Sequence, residues 1–251
     1  MKAIILAAGI GKRLGPTSEN KPKCLLKFGG ISLLQRHLQN LMKFSVSEIV
    51  IVYGYQKDLI DVEISQFNSE IPLTTIYNPD YTRGSVVSLW CAIKFLKGGT
   101  DIILMDADVL YDPRILQRLI QSEHKNCFLL DREFEPGDEP VKLCIRNDKI
   151  IEFRKEIDQE LEFDDQGESV GFFRFTPEIA GKLGDRAQQY INNGRHEEPY
   201  EESIRDLLLS EQDSFAFEDI TGLPWVEIDF PEDLERANRL LTNINSVQIC
   251  N

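Results

Sequence analysis

The sequence contains little histidine and no closely paired cysteines. Its three histidines, His37, His124 and His196, are far apart in the chain, so none forms a short-spaced pair of metal ligands. The five cysteines are scattered and include no C-x-x-C pair, which argues against a disulfide framework and against a zinc site. We therefore expect reduced thiols and chemistry that does not depend on a histidine base.

Long apolar runs are also absent. No apolar stretch reaches about eighteen residues, the length that a membrane-spanning helix requires. The apolar N-terminus runs directly into a glycine-rich turn and lacks the charged start and cleavage site of a signal peptide. These observations predict a cytoplasmic protein with no membrane partner.

Basic residues are outnumbered by acidic ones. The 251 residues include 28 Lys and Arg against 42 Asp and Glu, a net charge of −14, so we expect no nucleic-acid partner. The positive charge is nevertheless concentrated at the start, where residues 1–27 include six basic residues and one acidic residue. This clustering in a glycine-containing segment predicts an anion site, and chance clustering on a solvated surface is the alternative.

Strand and helix patterns alternate through the first half of the chain. Continuous apolar runs predict strands over 2–8, 48–53, 73–77, 101–105 and 127–130. Helical patterns lie between them, over 32–43, 56–66, 85–96 and 112–123. Because crossover helices join parallel strands, the order predicts a doubly wound, Rossmann-like α/β fold with a mixed, mostly parallel sheet.

The pattern changes after residue 131. Two β-rich runs, 141–146 and 149–154, flank Asn147-Asp148 and predict an antiparallel hairpin. Further patterns predict a strand over 169–175, helices over 176–191, 201–209 and 231–241, and irregular acidic surface segments over 133–140 and 158–168.

We expect one domain over 1–251. Its α/β half would be 1–131. The remaining 132–251 would contain an inserted antiparallel, β-rich portion together with the closing strand and helix.

A glycine loop after the first strand is the strongest chemical motif. The residues LAAGIGKRL occupy 6–14 and are followed by Lys21-Pro22-Lys23. Gly9 and Gly11 would let a polyphosphate approach backbone N–H groups, and Arg13 can bind phosphate oxygens with two hydrogen bonds. The loop lacks the third glycine of the dinucleotide fingerprint and is not a P-loop. In an open α/β sheet it would lie beyond the carboxyl end of the first strand, where ligands bind.

Two aspartates are candidate metal ligands. Asp108 comes shortly after the apolar run DIILM, and Asp229 directly follows WVEI, so each is expected near the carboxyl end of a strand. Mg²⁺ favours octahedral coordination by one or two carboxylates together with phosphate oxygens. The alternatives are a loop acid near the Asp112 helix cap and a cap of the last helix.

The segment LAAGIGKRL…KPKCLL resembles the L-A-A-G-x-G-x-R…P-K signature of the sugar-phosphate nucleotidyltransferase superfamily. The resemblance covers most of the chain. The sequence is similar in particular to the phosphocholine and 2-aminoethylphosphonate cytidylyltransferase branch. Four later stretches carry this narrower match: Asn78-Pro79-Asp80-Tyr81 with Ser88-Leu89, Asp106-Ala107-Asp108-Val109 with Asp112-Pro113, Ser169-Val170-Gly171-Phe172, and Glu227-Ile228-Asp229 before Glu232-Asp233-Leu234-Glu235-Arg236-Ala237.

The resemblance implies transfer of a nucleoside monophosphate, CMP from CTP, to a small phosphate or phosphonate acceptor with release of pyrophosphate. It implies Mg²⁺ bound by Asp108 and Asp229, and catalytic roles for Arg13 and Lys23. It also implies that the half 1–131 binds the nucleotide and that the portion 132–251 binds the acceptor. The nucleotide-binding residues that it implies are Leu6, Ala7, Ala8, Gly9, Gly11, Lys12, Arg13, Lys23, Tyr53, Gly84, Ser85 and Asp106. The corresponding acceptor-binding residues are Arg83, Lys155, Glu168, Tyr200 and Glu201.

One departure from the choline-type branch concerns the acceptor. Arg83-Gly84 stands where a polar T-N-N-like stretch would be expected. An arginine that faces the acceptor would repel a cationic head group, so we hypothesise a less cationic or anionic acceptor in contact with Arg83. The alternative is that Arg83 pairs with an acid on the surface.

Three other functions remain as alternatives. The first is a UTP-, GTP- or dTTP-dependent sugar-1-phosphate nucleotidyltransferase. The second is a glycosyltransferase, because Asp106-Ala107-Asp108 superficially matches a D-x-D motif, although such enzymes lack the N-terminal glycine loop. The third is a silent nucleotide-binding subunit, which predicts the loss of Arg13, Lys23 or a metal aspartate, and all of these are present. A homodimer is left open.

Overall fold

A nine-stranded mixed sheet forms the centre of the fold in a computed structural model that describes residues 1–18, 21–135, 137 and 139–249. The strands are β1 (Lys2–Ala7), β2 (Lys27–Phe28), β3 (Ile31–Ser32), β4 (Ile49–Tyr53), β5 (Leu73–Tyr77), β6 (Ile102–Asp106), β7 (Val109–Tyr111), β8 (Cys127–Asp131), β9 (Lys142–Arg146), β10 (Lys149–Arg154), β11 (Asp165–Phe175), β12 (Ala216–Asp219) and β13 (Trp225–Glu227). The helices are α1 (Leu33–Leu41), α2 (Lys57–Gln66), α3 (Ser85–Cys91), α4 (Ile93–Leu96), α5 (Pro113–Gln121), α6 (Pro177–Asn192), α7 (Tyr200–Ser210) and α8 (Pro231–Ile249).

The parallel part of the sheet has the order β6-β1-β4-β5. The chain passes from β1 through α1 to β4 and through α2 to β5, and then returns through α3 and α4 to β6 on the other side of β1. The strand order therefore reverses between β1 and β6. In open α/β sheets the crevice at such a reversal is where ligands bind. The predicted doubly wound, Rossmann-like architecture is confirmed.

The antiparallel part of the sheet begins at β11, which pairs with β6. The hairpin of β9 and β10 then extends the sheet, and β9 pairs with β11. Asn147 and Asp148 connect the two hairpin strands with φ values of 51° and 58°. Positive φ at both central residues is the geometry of a tight hairpin turn that Asn and Asp tolerate. The predicted hairpin and the mixed character of the sheet are confirmed.

Several predicted elements differ from the structure in their limits. Residues 165–168 were expected to be irregular but belong to β11, because their backbone pairs with β9, a long-range partner that composition does not reveal. The helix predicted over 85–96 is divided at Ala92, whose ψ of 6° is not helical. The last helix continues to Ile249, past the predicted end at 241.

A few of the residues in these predictions are not among those that the structure describes. Pro136 and Asp138, in the predicted surface segment 133–140, and Cys250 lie outside the described residues. The four described cysteines are free thiols, as expected. No helix in the described part of the chain combines the length and the apolar character needed to cross a membrane.

Apolar side chains cover both faces of the sheet. On β1, Ile4 and Leu6 pack with residues of α3, α4, α6 and α7, whereas Ala3, Ile5 and Ala7 pack with residues of α1, α2 and α5. This alternation explains why the central strands appear as continuous apolar runs in the sequence. A third cluster lies between α8 and the small sheet of β7 and β13.

Phe128 lies at the centre of an aromatic cluster in the core. Its ring centroid is 5.2 Å from those of Phe153 and Phe173 and 5.8 Å from that of Phe215, in edge-to-face arrangements.

Because Phe128 is fully buried, replacement by alanine leaves a cavity, and we expect Phe128→Ala to lower the free energy of unfolding by about 3–5 kcal/mol in urea denaturation. Leu209→Ala, at a side chain that is 44% exposed, should cost no more than about 0.5 kcal/mol. Similar losses in the two variants would contradict this assignment of the core.

Candidate active site

The predicted site residues meet where β1 and β6 end. Gly9 is exposed in the loop that follows β1, and Asp108 lies just beyond β6. The pairing of β7 with β13 brings Asp229 to the same place, because Val109 is opposite Glu227 and the N–H of Ile228 donates to the carbonyl of Asp108. Two segments distant in sequence are therefore joined beside the crevice.

Three carboxylates form a cluster in this crevice. Ligand oxygens of Asp108, Glu227 and Asp229 all lie within 4.8 Å of one another. Glu227 is exposed at the edge of the crevice, Asp108 is half-buried and Asp229 is buried. The sequence prediction did not include Glu227. Its signal was the E-x-D spacing, which places Glu227 and Asp229 on one side of an extended chain.

The Lys23 ammonium lies between two of these carboxylates. Its Nζ is 2.9 Å from Asp108 Oδ2 and 2.5 Å from Asp229 Oδ1. Burial by itself would lower the pKa of Lys23, but the two aspartates raise it, so the side chain is charged. Gly11 makes room for this side chain, since its φ is 69° and a Cβ there would lie 2.9 Å from Lys23 Cγ. Beside Lys23, a cavity of about 30 Å³ is lined by Leu6, Ala7 and Gly9 among others.

Arg13 is part of the same charged network. Its Nη2 is 2.8 Å from Asp229 Oδ2, and its Nη1 is 2.5 Å from Glu139 Oε2. Glu139 Oε2 also lies 3.0 Å from Lys155 Nζ. Glu139 thus bridges a predicted triphosphate-binding arginine and a predicted acceptor-binding lysine. No local sequence signal indicated Glu139, which belongs to a segment expected only to be acidic and irregular.

Asp106 and Tyr200, predicted to bind different substrates, contact each other. The Tyr200 hydroxyl donates a 2.7 Å hydrogen bond to Asp106 Oδ2. Gly171 permits this arrangement, because a Cβ there would lie only 2.2 Å from the same oxygen and its φ is 76°. Burial and the charges of Glu201 and Asp108 raise the pKa of Asp106 well above its ordinary value. The Asp106–Tyr200 pair attaches α7 to the end of β6.

Glu201 follows Tyr200 in the first turn of α7. Its Oε2 is buried and has no hydrogen-bond partner within the described parts of the chain. Burial raises the pKa of Glu201 to about 7, and Asp108 and Lys155 are close enough for their charges to act on it. The structure therefore places Glu201 near the carboxylate cluster.

Other predicted nucleotide-binding residues also contact the rest of the fold, and their roles in binding stay predictions. The N–H of Tyr200 donates to Ser85 Oγ at 2.9 Å, and a Cβ on Gly84 would lie 2.2 Å from the Glu198 carbonyl oxygen. Ser85 and Gly84 thus pack the start of α3 against the start of α7 and the segment before it. Tyr53 is buried in the core. Ala8 is also buried, and Lys12 is exposed in the glycine loop.

Arg83 is exposed and lies outside the charged network. Its Nη1 is 2.5 Å from His196 Nδ1, so its neighbour is a histidine and not the acid that the surface alternative expected. No ion pair joins Arg83 to the carboxylate cluster within the described ranges. A contact between Arg83 and an anionic acceptor stays a prediction.

Glu227 and Asp229 also line a larger cleft of about 650 Å³. Trp225, Glu168 and Arg236 are among the residues that line it. Burial and the charge of Asp131 raise the pKa of Glu168 to about 7. Glu168, predicted to bind the acceptor, thus borders a cleft that reaches the carboxylate cluster.

Known proteins share the sequence pattern and the fold of this chain. The model of the MobA-like NTP transferase domain matches residues 3–160. CTP:phosphoglutamine cytidylyltransferase of Campylobacter jejuni is 27% identical over 255 residues, which cover 94% of this chain and 98% of that protein. CMP-5'-(3-aminopropyl)phosphonate synthase of Streptomyces rubellomurinus is 25% identical over 250 residues, and this chain spans 38% of its length.

A solved structure shows the same fold. The inositol-1-phosphate CTP transferase from T. maritima superposes with a TM-score of 0.77 at 21% identity, over 97% of this chain and 95% of that one. The family match makes this chain a nucleotidyltransferase, and its glycine loop lies at the switch point of the sheet, where ligands bind in such folds. The chain belongs to the family of MobA-like NTP transferase domains. The resemblance to the cytidylyltransferase branch is thereby confirmed.

The raised pKa of Glu168 predicts a pH-dependent contribution to stability. The folded state holds the proton up to about pH 7, whereas an ordinary carboxyl loses it near 4.5. The free energy of unfolding should therefore fall as pH rises through this window, and Glu168→Gln should remove that part of the fall. Between pH 4.5 and pH 7, the free energy of unfolding of Glu168→Gln should rise relative to that of the unmodified protein by on the order of 2 kcal/mol. Urea denaturation at the two pH values measures this difference.

Glu232→Gln is the matched control, because Glu232 is an exposed acid on the same cleft. The free energy of unfolding of Glu232→Gln should differ from that of the unmodified protein by the same amount at both pH values. An equal pH trend in both variants would rule out a special environment at Glu168.

Proposed function

We propose that the chain transfers CMP from CTP to a small phosphate or phosphonate acceptor and releases pyrophosphate. The observation that carries this proposal is the contact of Lys23 with Asp108 and Asp229 beside the open glycine loop. A cation and two candidate metal ligands are thus adjacent at the sheet edge where ligands bind. The names of the relatives, which include a phosphoglutamine and a phosphonate cytidylyltransferase, support CTP and this acceptor class.

A divalent cation fits the carboxylate cluster. Asp108, Glu227 and Asp229 offer hard oxygen ligands within 4.8 Å of one another, the donor type that Mg²⁺ prefers. Two of these carboxylates contact Lys23, so the cluster already accommodates positive charge. We propose Mg²⁺ as the ion, with these three residues as ligands. When bound, it would neutralise charge on the phosphates of the nucleotide.

Backbone and basic side chains would hold the triphosphate. Apart from Gly9 and its two chain neighbours, no atom of the described residues lies within 4 Å of the position of a Cβ on Gly9, so this part of the loop is open to a ligand. Arg13, with its planar pair of donors, suits the phosphate oxygens of the leaving pyrophosphate. Lys23 would contact the α-phosphate, where negative charge increases during attack.

The bond changes require little of the protein beyond positioning. An acceptor oxygen forms a bond to the α-phosphorus while the bond from that phosphorus to the bridging oxygen of the β-phosphate breaks. The electron pair leaves with pyrophosphate. A phosphate or phosphonate acceptor is already ionised near neutral pH, so no general base is needed, and orientation with charge neutralisation can provide the rate enhancement.

We propose that the two predicted portions of the chain divide the substrates between them. The nucleotide contacts would come from 1–131, together with Asp229. The acceptor contacts would come from 132–251, which contains Lys155, Glu168 and Glu201. The Asp106–Tyr200 hydrogen bond joins the two portions and would fix the position of the acceptor relative to the nucleotide. The free thiols are compatible with a reducing cytoplasm, which we propose as the compartment.

The decisive experiment measures pyrophosphate release with Mg²⁺ for CTP, UTP, GTP and ATP. Each nucleotide is paired with phosphocholine, 2-aminoethylphosphonate, O-phosphoethanolamine, a polyol phosphate and a sugar 1-phosphate. We expect turnover with CTP and a small phosphate or phosphonate, and its loss in EDTA. Lys23→Ala should lower kcat by about 10²–10³, because the charge on the α-phosphate loses its nearest cation.

Lys27→Ala removes an exposed lysine from β2 and serves as the control. It should retain the kcat of the unmodified protein. Turnover only with UTP, GTP or ATP and a sugar phosphate would contradict cytidylyl transfer. No pyrophosphate from any pair would contradict the proposed activity on this acceptor class.

Two glycine variants test where the triphosphate lies. Gly9→Ala adds a methyl group to open space, so stability should be unchanged, but that methyl would obstruct phosphate and raise the KM for CTP at least about tenfold, or 1.4 kcal/mol. Gly84→Ala places a Cβ against the backbone of residues 197 and 198, so it should lower the free energy of unfolding by about 1–3 kcal/mol. Steady-state kinetics and urea denaturation measure both. An unchanged KM in Gly9→Ala would place the phosphates elsewhere.

A further inference from the structure

We propose that Glu139 competes with the polyphosphate of the nucleotide for Arg13. Its carboxylate would occupy this arginine in the free protein, release it when CTP binds, and pair with it again when pyrophosphate leaves. This inference rests on the proposed function. It adds a residue that limits the affinity for the triphosphate and promotes the release of pyrophosphate.

The first observation is that one carboxylate oxygen contacts two cations. Glu139 Oε2 lies 2.5 Å from Arg13 Nη1 and 3.0 Å from Lys155 Nζ. Hydrogen bonds from both side chains lower the pKa of Glu139, so the group is ionised near neutral pH. An anionic oxygen that accepts from an arginine and a lysine makes the contacts that a phosphate oxygen would make. Glu139 therefore occupies the position beside Arg13 Nη1 that a phosphate oxygen would need.

The second observation is that the two acids on Arg13 differ in their exposure to solvent. Arg13 Nη2 is 2.8 Å from Asp229 Oδ2. The Asp229 side chain is 12% exposed and its other oxygen contacts Lys23, whereas the Glu139 side chain is 48% exposed. An ion pair between half-exposed groups contributes little, but a buried one is costly to break. A phosphate that approaches Arg13 would therefore replace Glu139 and leave Asp229 in place.

The third observation is that both partners keep other contacts after the exchange. The Arg13 guanidinium lies 5.0 Å from the ring centroid of Phe230, and Asp229 also contacts it. These contacts would hold the guanidinium in place without Glu139. The Glu139 carboxylate would keep Lys155 as a partner, so its release from Arg13 leaves no unpaired charge. The exchange should therefore cost little free energy and be reversible.

The fourth observation concerns the backbone beside Glu139. Lys142 Nζ donates to the carbonyl oxygens of Gly137 and Lys155, at 2.8 and 2.7 Å. These hydrogen bonds attach the chain two residues before Glu139 to the end of β10. A rotation of the Glu139 side chain is then sufficient for the exchange, and the carboxylate stays close enough to Arg13 to pair with it again.

Calorimetry with Glu139→Gln tests the competition. A CTP analogue with a methylene between the α- and β-phosphorus is titrated with Mg²⁺ into the full chain. CMP is the control ligand, because it lacks the β- and γ-phosphates. We expect Glu139→Gln to lower the Kd of the analogue about fivefold, or about 1 kcal/mol, and to leave the Kd of CMP within about twofold.

The sign of the change decides between two roles for Glu139. Removal of a competitor lowers the Kd of the analogue, whereas removal of a residue that orients Arg13 for the triphosphate raises it. An unchanged or higher Kd of the analogue in Glu139→Gln would overturn the inference. An equal decrease for CMP would also overturn it, since CMP has no phosphate for this arginine.

Glu135→Gln is the matched control variant. Glu135 lines the same cleft but pairs with Arg236, at 3.6 Å, so its replacement removes an equal charge without freeing Arg13. Both Kd values should stay within about twofold of those of the unmodified protein. In an Arg13→Ala background, Glu139→Gln should no longer lower the Kd of the analogue, because the competition acts through that arginine. A fivefold decrease in that background would contradict the inference.

Inhibition of product formation by added pyrophosphate tests the release step. We expect the Ki of pyrophosphate to be about fivefold lower in Glu139→Gln than in the unmodified protein. Tighter binding of the analogue to Glu139→Gln, with no pyrophosphate released from any pair of substrates, would refute the proposed activity and support the competition. Pyrophosphate release with equal Kd and Ki values in the two proteins would support the activity and refute the competition.

Discussion

The Lys23 ammonium between Asp108 and Asp229 is the contact on which the arrangement of the site depends. It joins the loop after β1, the end of β6 and the segment after β13, three regions far apart in the sequence. Charges in a partly buried position must be paired, because an unpaired carboxylate or ammonium there is strongly destabilising. Asp229 is held further by Arg13, and the carboxylate of Asp233 accepts the backbone N–H of Asp229.

The same ion pairs place binding groups of opposite charge next to each other. Under the proposed function, a metal ion would take over the carboxylates, and phosphate oxygens would take over Lys23 and Arg13. The carboxylates would then pair with the metal ion, and the two basic side chains would pair with phosphate. The metal ion and the phosphates enter with opposite charges, so the change in net charge within the crevice would be small. Catalysis by positioning and charge neutralisation suits such a site, since its donors are already oriented before the substrate binds.

Glycines in this molecule serve two different physical purposes. Gly9 leaves open space, as expected for a loop that approaches a ligand. Gly84 and Gly171 instead allow close contacts within the protein, against the Glu198 backbone and the Asp106 carboxylate respectively. Sequence patterns alone do not distinguish these purposes, because each glycine is defined by what lies opposite it in space.

The sequence by itself determined the parallel sheet, the glycine loop and the two aspartates at strand ends. Those features are local, since apolar runs, turn residues and caps act within a few positions of the chain. The tertiary structure decided the rest. The pairing of β7 with β13 brings Glu227 beside Asp108, the ion pairs of Glu139 connect Arg13 with Lys155, and Arg83 contacts His196. These contacts join residues that are distant along the chain, so no local pattern could specify them.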